Sequence, residues 1–324
     1  MEGWSRSEAP LTPKSVSVRE ILEAKRQTLG LEVLTEATSL DRPASDPDIT
    51  SPGLALAGHT ARTPRGRMWV FGETEMTYLG ALPEADARSR LATLFTFDVP
   101  AVFVTKGQQV SEYFLEEAVS AAVPVLRCSV STKEFYRRIK PFLELSMAPT
   151  TTLHGSLADV YGVGLLFVGD SGVGKSECVL DLVERGHRLV ADDLVLASKQ
   201  GNDVLIGRGH ELQKHHMEIR GIGIIDVSAL FGVRAIRQQK RIEVIVSLDM
   251  WDKRRDYSRT GLEEEYEDIL GVSVPKVTVP LNPGKNITVI SEVVAMNHLL
   301  RFTGVNSAQI FDEKIKQYLE QDYE

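Results

Sequence analysis

The sequence predicts an α/β protein in two units, and three observations carry that expectation. Helix-like and strand-like segments alternate through the first half. A phosphate-loop pattern stands between an apolar strand and a helix in the second half. The 324 residues, 43% hydrophobic and 25% charged, suffice for two cores of ordinary size. With the boundary expected near Pro149, the chain reads as a loose polar arm over 1–14, an N-terminal α/β domain over 15–148 and a C-terminal phosphate-loop domain over 149–324.

The first element is a helix. Ser17 and Glu20 have capping-box spacing ahead of Val18, Ile21 and Leu22, and Gly30 stops it. Strands are expected at Leu31–Leu34, Met68–Phe71, Ala101–Thr105 and Pro124–Leu126, with helices over Glu84–Leu94, Ser111–Ala121 and Ser131–Leu143. Pro, Gly, Ser and Asp crowd the stretch from Asp41 to Arg67, which predicts an irregular connection. No cluster of His, Cys or carboxylates appears in 1–148, so a structural or assembly role is expected there. The second half is rich in short apolar segments broken by glycine and charge. Strands are expected at Arg188–Ala191, Val204–Ile206, Ile222–Val227, Ile242–Leu248, Val277–Val279 and Ile287–Ile290.

Composition excludes several classes. A net charge of −8 with no dominant basic face argues against nucleic acid as a partner. Cys128 and Cys178, the only cysteines, fit neither a metal spacing nor a disulfide framework, so a reducing, cytoplasmic setting is expected. No apolar run approaches the ~20 residues of a bilayer span, and no membrane partner is expected.

The chemistry centres on GDSGVGKS: Gly169, Asp170, Ser171, Gly172, Val173, Gly174, Lys175 and Ser176. This fits G-x-x-x-x-G-K-[ST], preceded by the apolar run Leu165–Val168 and followed by a helix over Glu177–Glu184. In such a loop the backbone N–H groups close around a β-phosphate, the lysine reaches the β- and γ-phosphates, the hydroxyl binds Mg²⁺, and the helix dipole attracts the anion. Val179, Leu180, Leu182 and Val183 give the helix one apolar face, and Arg185 with Gly186 ends it. The next strand then delivers Asp192 and Asp193 only 17 and 18 residues beyond Lys175. Neighbouring strand residues point to opposite faces, so one carboxylate is expected to face the phosphates while the other turns away or meets the metal. A carboxylate here can orient a hydroxyl nucleophile and accept its proton during phosphoryl transfer. A solvated turn with two acids is the alternative.

Other candidates are weaker on their own. His154, in TTTLHG, lies on a strand edge leading into the nucleotide region; a lone histidine is more often structural. In MEIRGIGIID, 217–226, Glu218 and Arg220 stand beside two glycines, which suits backbone passing close to a ligand with a carboxylate free for Mg²⁺, or a simple strand bend. His215 and His216 lack a third ligand. Lys253, Arg254, Arg255 and Arg259 surround Tyr257 ahead of Glu263, Glu264 and Glu265; an arginine there can stabilise transferring phosphate, though such runs are usually solvated loops. PLNPGKN, 280–286, reads as a fixed turn carrying Lys285. No N-K-x-D guanine reader, ABC-type signature, H-R-D or D-F-G motif occurs, which weakens GTPase, transporter ATPase and ordinary protein kinase readings.

Taken in order, TTTLHG, YGVG, GDSGVGKSE, RGHRLVADD, EIRGIGIID, LEEE, LGV and PLNPGKN resemble the HPr kinase/phosphorylase family over about residues 15–312, most strongly from 150 to 300. The resemblance implies a C-terminal domain like the nucleotide-binding core of phosphoenolpyruvate carboxykinase, a separate N-terminal α/β domain and a homo-hexamer. It implies a bifunctional enzyme of carbon metabolism that uses ATP or pyrophosphate, with Mg²⁺, to phosphorylate a serine of the phosphocarrier protein HPr. The same enzyme removes that phosphate with inorganic phosphate, releasing pyrophosphate. His154, Lys175, Asp193 and Arg259 match its active-site positions, with Asp193 the proton acceptor one way and donor the other, and Asp192 the second candidate for the base. Ser176 and Glu218 match its Mg²⁺ ligands. Met217–Asp226 matches the segment needed for both reactions and Pro280–Lys285 the one tied to dephosphorylation; the family often has arginine where this chain has Lys285. A non-catalytic nucleotide-dependent regulator, or a phosphate-loop kinase of another substrate, are the competing expectations.

Overall fold

The computed structural model describes residues 15–35, 38, 40–252, 264–282 and 284–321, with the side chains of 212, 320 and 321 set aside. The chain divides into two compact units, one ending at Ala148 and the other beginning at Pro149.

The N-terminal unit opens with β1 (Val16–Ser17) and α1 (Val18–Leu29), followed by β2 (Leu31–Val33), β3 (Pro43–Ala44), β4 (Ile49–Thr50), α2 (Gly53–Leu56) and β5 (Met68–Phe71). Then come α3 (Glu73–Gly80), α4 (Glu84–Phe95), β6 (Val102–Val104), α5 (Glu112–Ser120), β7 (Val125–Cys128) and α6 (Thr132–Ser146). The capping box expected at Ser17 forms: Ser17 Oγ accepts the Glu20 N–H at 3.2 Å, and Glu20 Oε2 accepts the Ser17 N–H at 2.7 Å. Gly30 closes the helix in the left-handed conformation, at φ 59°. The five-stranded sheet runs β2-β7-β6-β5-β4, parallel except where β2 meets β7. Its central strands β5 and β6 are buried on both faces, so they read as unbroken apolar runs rather than as alternations. One face packs Met68, Val70, Phe103 and Leu126 against α1 and α6; the other packs Trp69, Phe71, Val102 and Val104 against α2 to α5.

The C-terminal unit is a three-layer structure. Its elements are β8 (Thr150–His154), β9 (Ser156–Val160), β10 (Val163–Val168), α7 (Lys175–Glu184), β11 (Arg188–Ala191), β12 (Leu194–Gln200), β13 (Val204–Gly209), β14 (His216–Ile219) and β15 (Gly223–Asp226). They continue as α8 (Val227–Phe231), β16 (Gln239–Arg241), β17 (Val244–Met250), β18 (Glu265–Ile269), β19 (Val272–Leu281), α9 (Ile287–Phe302) and α10 (Ser307–Gln321). A six-stranded sheet ordered β11-β9-β10-β17-β19-β18 forms the middle layer, and a four-stranded sheet, β16-β13-β12-β8, covers one of its faces. Between them lie Leu153, Leu157, Leu166, Val168, Val195 and Ile245. On the other face Leu165, Phe167, Val244 and Val246 meet Val179, Leu182 and Val183 of α7 and Ala295 of α9. Central strand β10 is buried at all six positions.

One expected strand is a helix. Ile287–Ile290 reads as β from its β-branched residues, yet it is the first turn of α9, where Asn286 Oδ1 accepts the Val289 N–H at 3.1 Å. Packing overrides local preference, because the apolar positions continue through Val294 and Ala295 against α7 and β10. No described helix is long and apolar enough to cross a membrane.

In the N-terminal core Phe103 lies against Phe135 with ring centroids 5.0 Å apart, both fully buried. Phe103→Ala is expected to cost about 3–5 kcal/mol from lost burial and the cavity left behind. Urea unfolding followed by far-UV circular dichroism would show it as an earlier transition of that unit.

Candidate active site

Three parallel strands converge on one edge of the six-stranded sheet. In register, Val168 of β10 faces Ser247 of β17, and Asp249 and Met250 of β17 face Pro280 and Leu281 of β19. Their carboxyl ends therefore deliver, side by side, the glycine loop 169–174, Asp249 and the turn that carries Lys285. Ligands of α/β sheets bind outside such carboxyl ends.

The loop is an open anion cradle ahead of α7. Gly169, Gly172 and Gly174 all have positive φ, and α7 begins at Lys175 with its first N–H groups facing the loop. Lys175 Nζ donates to the carbonyl oxygens of Gly169 and Asp170, each at 2.9 Å, so the ammonium is drawn over the loop itself. Arg220, beyond the end of β14, brings a second cation: its Nη2 lies 3.4 Å from Ser171 Oγ. A Cβ at residue 172 would come within 2.4 Å of that guanidinium, so only glycine lets arginine and loop approach this closely.

The two adjacent acids have different environments. Asp192 is buried, 6% exposed, and sits under the start of α7, where Ser176 Oγ donates to it at 3.0 Å. Ser156 Oγ, from the first residue of β9, donates at 2.5 Å. Burial pushes the Asp192 carboxyl above its ordinary pKa, opposed by the Ser156 and Ser176 hydroxyls and, more weakly, by the N–H groups of Asp193 and Glu218. Asp193 is exposed and left-handed, at φ 63°. Its carbonyl accepts the Gly155 N–H at 3.0 Å, and Leu194 pairs in register with His154, so the exposed His154 and Asp193 flank the same point where β8 meets β12. Glu218 is also exposed, its N–H turned towards Asp192.

The candidate metal donors are all oxygen. Ser176, Asp192 and the nearby Glu218 suit a hard cation that keeps several waters and takes the rest of its shell from phosphate, the habit of Mg²⁺. A dedicated protein cage is not built: no group of three His, Cys, Asp or Glu fit to hold an ion occurs among the described residues. His215 and His216 are no exception, and His216 Nδ1 lies 2.8 Å from the Lys214 carbonyl.

Lys285 is exposed on its turn, with its N–H bonded to the Asn282 carbonyl at 3.1 Å and Nζ to the Pro280 carbonyl at 2.9 Å. Arg259, with Lys253, Arg254, Arg255 and Glu263, lies outside the described residues. Two residues of the site are additions to those the sequence marks. Ser156 carries no local signal, since only the pairing of β9 with β11 brings it to Asp192. Asp249 has one, being an acid that ends the apolar run of β17; Ser247 Oγ donates to it at 3.1 Å.

Comparison with known proteins decides the family. Residues 16–143 match the model of the HPr serine kinase N terminus, and residues 145–315 that of the HPr serine kinase C-terminal domain. The chain belongs to the HPr serine kinase family. Within it, the HPr kinase/phosphorylase of Chloroherpeton thalassium is 44% identical over 312 residues, covering 96% of this chain and 92% of that one. The HPr kinase/phosphorylase of Halalkalibacterium halodurans is 43% identical over 306 residues, covering 94% and 97%. Among solved structures, the Hpr(Ser) kinase/phosphatase of Coxiella burnetii is 36% identical and spans 49% of this chain and 97% of its own, with a TM-score of 0.45.

The Ser156 hydroxyl is one of two that satisfy a buried carboxylate. Ser156→Ala is expected to cost about 1–3 kcal/mol, the penalty for under-satisfying a buried polar group, and chemical denaturation of the purified variant measures it.

Proposed function

We propose that this chain is a bifunctional HPr kinase/phosphorylase. It transfers a phosphoryl group from ATP or pyrophosphate to a serine of HPr, and returns it from phosphoserine to inorganic phosphate, forming pyrophosphate. The observation that carries the reading is the split pair of acids beside the phosphate loop: Asp192 buried on Ser176, and Asp193 exposed beside His154. A cation-lined loop with one sequestered and one accessible carboxylate is what a reaction limited by positioning and proton transfer requires.

In the forward direction the accessible Asp193 orients the attacking serine hydroxyl and takes its proton as the new O–P bond forms and the bond to the donor's leaving phosphate breaks. Lys175 and Arg220 neutralise charge on the transferring group and its leaving partner, with Arg259 and His154 as further members of the set. In reverse, an oxygen of inorganic phosphate attacks, the serine oxygen leaves, and Asp193 returns the proton, as microscopic reversibility demands. Ser176, Asp192 and Glu218 would hold Mg²⁺, which would supply charge neutralisation on the phosphates. Lys285, on the neighbouring turn, serves the incoming inorganic phosphate.

The resemblance to the nucleotide-binding core of phosphoenolpyruvate carboxykinase, a homo-hexameric assembly, a cytoplasmic setting and a role in carbon regulation belong to the same proposal. The similarity to HPr kinase/phosphorylases and the carboxyl-edge site in the C-terminal unit support the kinase/phosphorylase reading on which they depend.

The test is mass spectrometry of HPr after incubation with ATP and Mg²⁺, and again after adding inorganic phosphate, with pyrophosphate measured in parallel. The expected result is one serine phosphate gained and then lost; an unmodified HPr with ATP consumed would move the function to another substrate. Lys175→Ala is expected to abolish both directions. Asp193→Asn is expected to lower both by about 10²–10⁴-fold, the usual worth of a positioned general base, while nucleotide still binds.

A further inference from the structure

The segment that carries Lys285 does not end in solvent. It runs directly into α9, capped by Asn286, and α9 is joined to the phosphate-loop helix α7 at three places. Thr288 Oγ1 donates to Asp181 Oδ2 at 3.2 Å, Ser291 Oγ lies 3.8 Å from Cys178 Sγ, and Glu292 takes the Arg185 guanidinium in a two-point pair at 2.8 and 2.6 Å. Thr288, Ser291 and Glu292 are all buried. His187 Nε2 lies 3.0 Å from Glu292 Oε1, and the Tyr161 hydroxyl donates to the same oxygen at 3.4 Å. The Tyr161 ring closes edge-on over His187 with centroids 4.6 Å apart. An ionised carboxylate only accepts, so its two oxygens gather donors from the residue that caps the end of α7, from the turn between β9 and β10 and from the residue just before β11.

Such a buried, fully partnered charge is weak evidence for stability but strong evidence for a fixed geometry, because any displacement leaves a charge or a ring nitrogen unsatisfied. The Arg185 hydrogen bonds, with His187 behind them, hold the Glu292 carboxyl down at about 2, so the pair stays charged at neutral pH. One end of this helix pair begins at Lys175 and Ser176; the other begins one residue after the Lys285 turn, whose own hydrogen bonds are local.

We infer that Glu292 is a positioning residue for the phosphate-driven direction: by locking α9 to α7 it sets the distance between Lys285 and the phosphate loop. The inference rests on the function proposed above and on Lys285 serving inorganic phosphate. ATP-driven transfer depends on α7 and its loop, which the Ser176–Asp192 hydrogen bond and the packing of Val179, Leu182 and Val183 on the sheet hold without the lock. Phosphate-driven removal needs the two helices in register.

The experiment uses the full chain with HPr and serine-phosphorylated HPr. It measures kcat and KM for ATP in one direction and for inorganic phosphate in the other, for the unaltered protein, Glu292→Gln, Lys285→Ala and the double variant. Glu292→Gln is expected to raise KM for inorganic phosphate about fivefold or more, with ATP parameters changed less than about twofold. In the Lys285→Ala background the same substitution should add little, since the residue it positions is gone. Glu292→Asp, which keeps the charge, should recover part of the loss. Equal losses in both directions, or effects that multiply independently in the double variant, overturn the inference. If Glu292→Gln does not fold, Thr288→Val removes the contact nearest the turn, and the same split or its absence decides. An unaltered protein that leaves HPr unmodified would instead overturn the proposed function, and this inference with it.

Discussion

The C-terminal unit is organised around one buried carboxylate. Asp192 receives the hydroxyls of Ser156 and Ser176 and faces the N–H groups of Asp193 and Glu218, so β9, α7, the end of β11 and β14 are all referred to a single group. Burying it is costly in isolation, and its raised pKa records the cost. The cost is offset only while every donor is in position. The phosphate loop, anchored at α7 through Ser176, and the EIRG hairpin, anchored through Glu218, therefore take their mutual placement from the same carboxylate. Arg220 follows, because the hairpin that presents Glu218 also carries it over Gly172.

A second constraint acts at the scale of the sheet. Parallel neighbours β10, β17 and β19 must end near one another, so the loop, Asp249 and the Lys285 turn arrive as a row. A row fixed by backbone ladders is precise in the plane of the sheet. Above it, α7 and α9 hang from two different strand ends and need their own fastening, which the Asp181–Thr288 and Arg185–Glu292 contacts supply. The opposite face is closed by the four-stranded sheet, which delivers His154 and Asp193 from the other side of the same edge. Its strands β8 and β12 pair antiparallel with Leu194, the residue after Asp193, opposite His154, so histidine and acid arrive together.

Much of this was legible in the chain. The phosphate loop announces itself because its function needs glycine at positive φ, a lysine and a hydroxyl at fixed spacing, and few other structures require that combination. The acid pair was visible for a similar reason, standing at the end of an apolar strand soon after the loop. Its division into a buried and an exposed member was not, since that depends on the partner strand and on a left-handed residue at 193. Ser156 was invisible, as an ordinary serine made functional by register alone. Ile287–Ile290 misled because four residues with β-branched side chains favour a strand, whereas the deciding information, an Asn cap and a buried face running to Ala295, extends well beyond them. Glu292 gave no sign either: its partners Arg185, His187 and Tyr161 lie more than a hundred residues away.

The left-handed backbone at Asp193 links these levels. A non-glycine residue at φ 63° is uncommon, and aspartate is among the few that tolerate it. Had the strand continued in extended geometry, the two carboxylates would have pointed to opposite faces, one towards α7 and the other into the layer of Leu153, Val190 and Val195. A charged group in that apolar layer would be prohibitive. Reversing the chain at 193 instead turns the second carboxylate outward at the sheet edge, while its carbonyl is captured by the Gly155 N–H. A Cβ at residue 155 would lie 2.4 Å from the Phe167 carbonyl, so the glycine lets this turn close against β10. Two adjacent acids can thus occupy a dry, hydroxyl-lined niche and an open edge at once, a separation of environments that an extended strand covered on both faces cannot provide.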